Sequence, residues 1–283
     1  MVIVKLIGGL GNQMFQYALG RHLAYKNRTG LKLDLSSFKT YKLWKYVLNQ
    51  FNIIEEFASR ADIRLFNFKR EFSPFKSDKN ILCVEKVKFK FDPEVLKCKG
   101  NVYLDGSWQS EKYFKDIEKI IRKEFTLKNK PGSESIKLLK SIGGTNSVCI
   151  HARRGDYVTN SNTNRFLGAC SVDHYNKCIQ VIKKRLQNPH FFVFSDEPNW
   201  TENNIKIDAP ATYVIHNTID KGYEDLRLMK NCKNFIISNS TFGWWGAWLS
   251  ENKNKIILAP EKWLNIDMET PDLLPDSWIK IKT

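Results

Sequence analysis

The sequence of 283 residues lacks any apolar run that approaches the ~20 residues of a membrane-spanning helix. Its first apolar run, residues 2–7, is interrupted by Lys5 and ends at two glycines. A secretory signal peptide would have a longer apolar region that follows basic residues, so this run predicts a first β-strand instead. From the sequence we therefore expect a cytoplasmic protein.

Common cysteine and phosphate-binding patterns are also missing. The six cysteines are scattered without a Cys-x-x-Cys pair, so the sequence indicates neither a zinc site nor a disulfide framework. We expect most of them to be small buried apolar residues. No Walker sequence indicates a P-loop.

Charge is present but unevenly distributed. Residues 1–140 carry 28 Lys and Arg against 15 Asp and Glu, a net charge of +13, whereas residues 141–283 carry 17 against 15, a net of +2. A basic first half indicates contact with an anionic partner, or equally a lysine-rich solvated surface. No nucleic-acid motif is present, which leaves an anionic membrane surface as the candidate partner.

Strand-like runs alternate with helical periodicity in both halves of the chain. The predicted strands are residues 2–7, 31–35, 101–104, 147–150, 191–194, 213–215, 235–238 and 256–259. The predicted helices are residues 109–125, 172–186, 223–231 and 247–251, and one that begins at Asn12 or Gln13. The alternation predicts two α/β domains with parallel sheets, residues 1–140 and 141–283, on either side of a cleft. We interpret residues 128–144 as the linker between them and residues 39–99 mainly as helices and loops.

The most informative motif is His-Ala-Arg-Arg-Gly-Asp-Tyr at residues 151–157, directly after an apolar strand. Strand alternation places His151 and Arg153 on one face and Arg154 on the other, and we expect Asp156 and Tyr157 in the loop that follows. Ligands of open α/β sheets bind at such strand ends, and paired guanidiniums suit a phosphate or diphosphate. An ordinary polar turn is the alternative, and Arg-Gly-Asp is also the tripeptide of adhesion ligands.

A second candidate is Gly-Gly-Leu-Gly-Asn-Gln at residues 8–13, between the first strand and helix. Glycines there allow close backbone approach, and the helix N-terminus favours an anion. The dinucleotide pattern G-x-G-x-x-G fits only partly, because Met14 stands in its third glycine position, although Asp34 lies where a ribose-binding acid would. A nicotinamide-dependent oxidoreductase is therefore an alternative. His22 lies on the apolar face of this helix and is predicted to be a packed core histidine.

Two further polar segments follow predicted strands. Ser195-Asp196 ends one of them, and Ser-Asn-Ser-Thr-Phe-Gly-Trp-Trp-Gly at residues 238–246 follows another. The hydroxyl groups and amides of the second segment suit phosphate oxygens. We expect Trp244, Trp245 and Trp248 to pack in a core rather than to bind a ligand.

Together these motifs resemble the bacterial α-1,2-fucosyltransferases. The matching sequences are Gly-Gly-Leu-Gly-Asn-Gln-Met-Phe-Gln-Tyr-Ala at residues 8–18, His-x-Arg-Arg-Gly-Asp-Tyr at 151–157, Phe-Ser-Asp at 194–196 and Asn-Ser-Thr-Phe-x-Trp-Trp-Gly-Ala-Trp-Leu at 239–249. Residues 103–114 and 259–263 match as well, so the resemblance covers nearly the whole chain. The glycine turn is also similar to that of the protein O-fucosyltransferases.

The resemblance implies a GT-B fold of two Rossmann-like domains, GDP-fucose as donor, inversion at the anomeric carbon and no metal or other cofactor. The absence of any Asp-x-Asp sequence agrees, since that pair is the usual metal–diphosphate ligand of the other glycosyltransferase architecture. The residues that we assign to GDP-fucose in this way are Gly9, Gly11, Asn12, Gln13, His151, Arg153, Arg154, Asp196, Asp225, Ser238, Asn239, Ser240 and Thr241.

Within this set the resemblance implies separate roles. Arg153 would bind the β-phosphate, Asn12 would reach the diphosphate, and Asp225 would accept the guanine N1 and N2 hydrogens. Asp156 is the candidate general base, or alternatively a structural partner of Arg154. The acceptor would be the 2-hydroxyl of a terminal galactose on an oligosaccharide or a lipid-linked glycan, and residues 39–99 would shape its site. A lipid-linked acceptor would place the enzyme peripherally at the inner membrane face.

Overall fold

The computed structural model describes residues 1–40, 43–66 and 80–282. The chain divides into two compact units. Unit 1 consists of Met1–Lys128 and Thr270–Pro275, and unit 2 consists of Asn129–Glu269 and Asp276–Thr283. The predicted domain boundary at residue 140 lies inside a helix of unit 2, Ser133–Gly144.

Unit 1 contains a parallel sheet in which four described strands have the order β2-β1-β4-β3. Its strands are β1 (Val2–Lys5), β2 (Leu31–Asp34), β3 (Asn80–Val84) and β4 (Asn101–Asp105). Its helices are α1 (Leu10–Lys26), α2 (Arg60–Arg64) and α3 (Glu118–Glu124). Because the central strand β1 is covered on both faces, Val2, Ile3 and Val4 are completely buried.

The segment Thr270–Pro275 completes unit 1 although it lies near the end of the chain. Asp272 Oδ2 accepts a hydrogen bond from the backbone N–H of Phe91 at 2.8 Å. Its Oδ1 forms an ion pair with Lys112 Nζ at 2.5 Å. One carboxylate thus joins this late segment to two separate loops of unit 1.

Unit 2 contains a parallel sheet in which six described strands have the order β10-β9-β8-β5-β6-β7. Its strands are β5 (Asn146–Ala152), β6 (Pro189–Ser195), β7 (Ala211–Val214), β8 (Asn234–Ile237), β9 (Ile257–Pro260) and β10 (Ile279–Ile281). Its helices are α4 (Ser133–Gly144), α5 (Gly155–Thr159), α6 (Ser161–Phe166), α7 (Val172–Arg185), α8 (Pro198–Asn204), α9 (Gly222–Met229) and α10 (Thr241–Leu249). Strand β5 lies between β6 and β8, so its end is central to the sheet.

The predicted α/β alternation with parallel strands is confirmed in both units, and so is the buried position of His22. The prediction of one helix over residues 109–125 is wrong, because two 3-10 turns, Glu111–Tyr113 and Lys115–Ile117, precede α3. The linker prediction for residues 128–144 is also wrong, since α4 covers most of that range. The more buried side of α4 recurs at helical spacing, at Ser135, Leu138, Leu139 and Ile142, although the flanking Pro131-Gly132 and Gly143-Gly144 suggested a loop.

The segment at residues 39–99 includes a strand, β3, that the sequence interpretation did not predict. Residues 41–42 and 67–79 of that segment lie outside the described part of the chain. Half of the six cysteines are buried rather than most of them, namely Cys149, Cys178 and Cys232, and the other three are half-buried. Across the described ranges, no helix is both long and apolar enough to span a membrane.

Candidate active site

Three polar segments meet at one edge of the sheet in unit 2. Strand β5 contains His151, whose backbone is paired with Phe194 of β6 and with Ile237 of β8. Because all three strands are parallel, the residues that follow them lie at the same edge. The structure therefore brings together the motif at residues 151–157, Ser195-Asp196, and the run that starts at Ser238.

Arg153 is the centre of this edge, and it lies between two carboxylates. Its Nη2 donates to Asp156 Oδ1 at 2.5 Å, and its Nη1 lies 3.0 Å from Asp196 Oδ2. The guanidinium carbon also lies 5.6 Å from the ring centroid of Tyr157. With only 16% of its side chain exposed, Arg153 presents a desolvated cation held in one orientation.

Arg154 has different partners from Arg153. Its Nε donates to Glu197 Oε2 at 3.0 Å, and its guanidinium carbon lies 3.5 Å from the ring centroid of Trp200. The alternative in which Asp156 is the partner of Arg154 is therefore wrong. Glu197 and Trp200 were missed, although Glu197 directly follows the predicted Ser195-Asp196 pair.

Asp196 is fixed by three neighbours. The backbone N–H of Arg154 donates to its Oδ1 at 2.9 Å, Arg153 faces its Oδ2, and Gly155 leaves room for it. A Cβ on Gly155 would lie 2.5 Å from Asp196 Oδ2, so no larger residue fits there without a shift. Burial raises the pKa of Asp196, while the adjacent Arg153 opposes that increase.

The expectation of a loop at Asp156 and Tyr157 is wrong, because both residues belong to the short helix α5. That helix begins at Gly155, immediately after the two arginines. A helical turn brings the side chain at position i+3 back towards position i, and this geometry lets Asp156 reach Arg153. The motif is thus a strand end followed at once by a helical turn.

His151 is an uncharged residue beneath this edge. It is 5% exposed, and its Nδ1 lies 3.1 Å from Ser238 Oγ. Burial, together with the positive charge of Arg153, lowers the pKa of His151 to about 3. The imidazole is therefore neutral near pH 7 and contributes a hydrogen bond rather than a charge. A Cβ on Gly243 would lie 2.6 Å from Nδ1, which shows how closely α10 approaches the ring.

The run Ser238–Thr241 leads into α10, which begins at Thr241 rather than at residue 247 as predicted. Ser240 is the N-cap residue, so the first N–H groups of this nine-residue helix lie beside the hydroxyl groups. Asn239 points elsewhere, since its Nδ2 donates to the backbone carbonyls of Leu167 and Trp263. Its amide therefore ties two loops to the strand end. The core packing expected for the tryptophans is confirmed, as all three are buried: Trp244, Trp245 and Trp248.

Asp225 lies in α9, whose first residue packs near Phe242 of α10. Phe242 in turn contacts the His151 ring at a centroid distance of 5.4 Å. Burial raises the pKa of Asp225 to about 6, although Asn217 Nδ2 donates to its Oδ1 at 2.7 Å. A half-buried carboxylate with one fixed partner suits a ligand that offers N–H donors. Asn217 carries no sequence signal that would have identified it.

In unit 1, the glycine turn precedes α1. Gly8 has a φ of +86°, a conformation that favours glycine, and Gly9 is the N-cap residue without a side-chain cap. The indole of Trp44 lies over Gly9, since a Cβ there would be 3.5 Å from Trp44 Cδ2. Gly11 is buried in the first turn of α1. A ligand can therefore approach the backbone closely at Gly9, next to the indole ring of Trp44.

Two carboxamides of this turn behave differently. Gln13 is fully buried, and its Nε2 donates to the carbonyls of Gly8 and Lys45, both at 2.8 Å. Its Oε1 accepts from the backbone N–H of Val47 at 3.1 Å, so Gln13 ties a neighbouring segment to the turn. Asn12 is only half-buried, and its Oδ1 accepts from Gln109 Nε2 at 3.0 Å.

Two alternative functions conflict with these contacts. Asp34, the acid expected to bind a ribose, is 2% exposed and accepts a hydrogen bond from the Tyr103 hydroxyl. It is therefore not available to a dinucleotide. For an adhesion ligand, Arg154 and Asp156 would have to be exposed, but their side chains are 16% and 19% exposed and are paired within the protein.

The chain is similar along its whole length to known glycosyltransferases. The family model "Glycosyl transferase family 11" matches residues 1–282. An α-1,2-colitosyltransferase of Escherichia coli is 35% identical over 100% of this chain and 99% of its own length. The galactoside α-(1,2)-fucosyltransferase 2 of Rattus norvegicus is 28% identical over 49% of this chain and 41% of its own.

Among solved structures, that of Arabidopsis thaliana FUT1 mutant R284K in complex with GDP aligns with a TM-score of 0.54 at 11% identity. The alignment covers 91% of this chain and 70% of that one. The predicted GT-B-like α/β fold is confirmed. The match of a family model to residues 1–282 supports a glycosyltransferase over the oxidoreductase and adhesion hypotheses, and the chain belongs to glycosyltransferase family 11.

Proposed function

We propose that the protein transfers L-fucose from GDP-fucose to the 2-hydroxyl of a terminal galactose on a glycan, with inversion at the anomeric carbon. The observation that carries this proposal is the full-length family match, together with 35% identity to an α-1,2-transferase over the entire chain. The ordered motifs at both strand-end sites supply the residues for such a reaction.

In this reaction, the bond between the fucose C1 and the β-phosphate oxygen breaks, and its electron pair leaves with GDP. The oxygen of the acceptor 2-hydroxyl forms the new bond to C1 from the opposite face, and its proton passes to a base. Asp156, whose carboxylate accepts a hydrogen bond from Arg153, is our candidate for that base.

Each unit, taken by itself, offers residues that we assign to the donor. In unit 2, Arg153 and the start of α10 offer a cation and helix N–H groups to the diphosphate, and Asp225 offers a carboxylate to guanine. In unit 1, Asn12 offers an amide to the diphosphate. Donors held in place before the reaction stabilise charge that develops on a leaving group.

We further propose that no metal is required, since the sequence contains no Asp-x-Asp pair and the charge of the diphosphate can be met by Arg153 and helix N–H groups. The measurement is transferase activity after exhaustive treatment with EDTA, which we expect to be retained. An absolute requirement for Mg²⁺ or Mn²⁺ would contradict this part of the proposal.

The decisive experiment for the main proposal incubates the purified protein with GDP-fucose and a panel of β-galactosides, with identification of the product linkage. GDP-colitose is the second donor to test, because the relative with 35% identity is an α-1,2-colitosyltransferase. Colitose differs from fucose in lacking the 3-hydroxyl. A preference for GDP-fucose would therefore indicate that the protein makes a contact with that hydroxyl group. No transfer from either donor, with no binding of GDP, would refute the proposal.

We propose that the basic first half, with a net charge of +13, touches an anionic membrane surface that carries a lipid-linked glycan. A freely soluble acceptor glycan is the alternative, in which case the lysines serve only as a solvated surface.

A further inference from the structure

Gln109 and Asn12 form an amide pair beside the glycine turn of unit 1. Gln109 follows strand β4 and is 8% exposed, and its Nε2 donates to Asn12 Oδ1 at 3.0 Å. The two residues are 97 positions apart in the sequence. The pair thus joins the loop after β4 to the first turn of α1.

This hydrogen bond determines which way the Asn12 amide is turned. A carboxamide has one accepting oxygen and one donating nitrogen, and the oxygen of Asn12 is already used by Gln109. Its Nδ2 must then be directed to the other side, next to Gly8. A Cβ on Gly8 would lie 2.7 Å from Nδ2, so the glycine provides the space for this orientation. Within the described ranges, no protein acceptor forms a hydrogen bond with Nδ2.

The loop that carries Gln109 is held firmly. Glu85 accepts the backbone N–H groups of Ser107 at 2.7 Å and of Trp108 at 3.2 Å. Trp108 is 1% exposed and has a φ of +55°, a backbone conformation that needs support from its surroundings. Gln16 Nε2 also donates to the carbonyl of Gly106 at 3.2 Å. Gln109 therefore makes its contact from a fixed position.

We propose that Gln109 is a positioning residue that aims the Asn12 Nδ2–H group at the diphosphate of the nucleotide-sugar donor. This inference rests on the proposed function. As the C1–O bond breaks, negative charge increases on the leaving diphosphate, and a donor aimed at that charge stabilises the transition state more than the bound substrate. If the Asn12 Nδ2–H group loses this orientation, kcat should therefore fall by a larger factor than KM rises.

Two variants of Gln109 test whether this residue orients the Asn12 amide. Gln109→Glu has nearly the same shape, but its ionised side chain only accepts hydrogen bonds, so Asn12 should turn its Nδ2 towards the new carboxylate and present its oxygen to the phosphate. Gln109→Leu removes the contact. We expect kcat to fall about 10²-fold or more for the first and about 10-fold for the second, with less than about a threefold change in KM. Asn12→Ala should lower kcat by about 10²-fold.

A double-mutant cycle separates positioning from a structural role. If Gln109 acts through Asn12, then Gln109→Leu should cause little further loss in an Asn12→Ala background. The matched control is another amide pair of unit 1, in which Asn101 Nδ2 donates to Asn80 Oδ1 at 2.9 Å. Asn80 and Asn101 are the first residues of β3 and β4, whereas Gln109 follows the C-terminal end of β4. Asn101→Leu should therefore leave kcat within about twofold, even if it lowers the midpoint of thermal unfolding.

Two results would overturn the inference. One is a wild-type kcat in a folded Gln109→Glu variant, and the other is losses that multiply in the double mutant. If Gln109→Leu fails to fold, the nearly isosteric Gln109→Glu decides alone. A wild-type protein that transfers no sugar refutes the proposed function, whereas an active protein that tolerates both substitutions refutes only the role of Gln109.

Discussion

In unit 1 the residues of the candidate site are glycines and carboxamides, whereas in unit 2 they include a cluster of charged side chains. The first site has Asn12, Gln13 and Gln109, which are uncharged and bound in fixed directions. The second has two arginines with three carboxylates, namely Arg153, Arg154, Asp156, Asp196 and Glu197. One site thus depends on the direction of hydrogen bonds and the other on ionisation.

The net charges of the two halves of the sequence show the reverse pattern. Residues 1–140 carry a net +13, and residues 141–283 carry a net +2. The excess charge of the first half therefore lies outside its candidate site. In the second half, each arginine of the site is matched by carboxylates, so a strongly charged site contributes little to the net charge. The net charge of a segment therefore describes its surface and does not show where its charged functional residues lie.

The largest expected effect comes from Arg153, the cation of the charged site. Arg153→Ala should lower kcat/KM by at least about 10²–10³-fold in the transferase assay. Arg153→Lys should recover little of this, because a point charge replaces the planar fork that holds Asp156 and Asp196 together. Arg185→Ala, in the exposed last turn of α7, is the control and should be neutral. A nearly normal Arg153→Lys enzyme would contradict the assignment.

The glycines of the two candidate sites differ in how tightly their surroundings pack. Gly243→Ala places a Cβ 2.6 Å from His151 Nδ1 and should lower the free energy of unfolding by about 1–3 kcal/mol. Gly9→Ala in unit 1 meets Trp44 at an ordinary 3.5 Å, so it should cost only what alanine costs at a helix N-cap, about 1 kcal/mol or less. Gly143→Ala is the control, since no atom lies within 4 Å and a helical alanine should stabilise. Chemical denaturation measures all three; a Gly243→Ala protein as stable as wild type would show that α10 can move away from His151.

Asp225 should make the charged site sensitive to pH. Its pKa is raised to about 6 by burial, so protonation below pH 6 removes the carboxylate that we assign to guanine. The affinity for GDP should fall by up to about tenfold between pH 6 and pH 5, as expected for one required ionisation. Isothermal titration with GDP measures this, and Asp225→Asn should bind GDP weakly without that pH dependence.

The stability of the fold should depend on pH in the opposite direction to GDP binding. A raised pKa means that folding disfavours the ionised form, so the contribution of Asp225 to stability is lost as the pH rises through about 6. Asp225→Asn should therefore stabilise the fold at pH 7 while it weakens GDP binding. A variant that loses both stability and binding would show that the carboxylate supports the structure instead.

The smallest expected effect concerns the charge outside the sites. Binding to anionic vesicles should be weak, at about 1 kcal/mol for each basic residue near the surface, and should disappear with added salt. Vesicle sedimentation at low and high ionic strength measures it, with neutral vesicles as the control. No binding to anionic vesicles at low salt would make the +13 of the first half a solvated surface.

Much of the charged site could be predicted because its residues directly follow strands. Apolar runs ending in polar residues located the ends of β5, β6 and β8, and parallel pairing brings those ends together. The start of α10 could not be predicted in the same way. Gly243 and Gly246 suggested a turn, but the structure places them inside a helix, where Gly243 makes room for His151 and Gly246 for Met229.

Contacts between distant residues could not be predicted from local patterns. The Gln109–Asn12 pair joins residues far apart in the chain, and each is an ordinary polar residue in its own segment. Gln13 was predicted to bind GDP-fucose because of its place in the glycine motif. Its side chain is instead hydrogen-bonded to the backbone of Gly8, Lys45 and Val47. A motif identifies the residues that matter at a turn but not the direction of each side chain.

The return of Thr270–Pro275 to unit 1 has a consequence for synthesis on the ribosome. Domains generally form in the order in which they emerge, N-terminal first. Here Phe91 and Lys112 receive their carboxylate partner only when Asp272 has been translated, close to the end of the chain. Strand β10 of unit 2 follows directly after it. Unit 1, most of which precedes unit 2 in the sequence, therefore cannot be finished before nearly all of unit 2 has emerged, and the residues from Thr270 onward complete both.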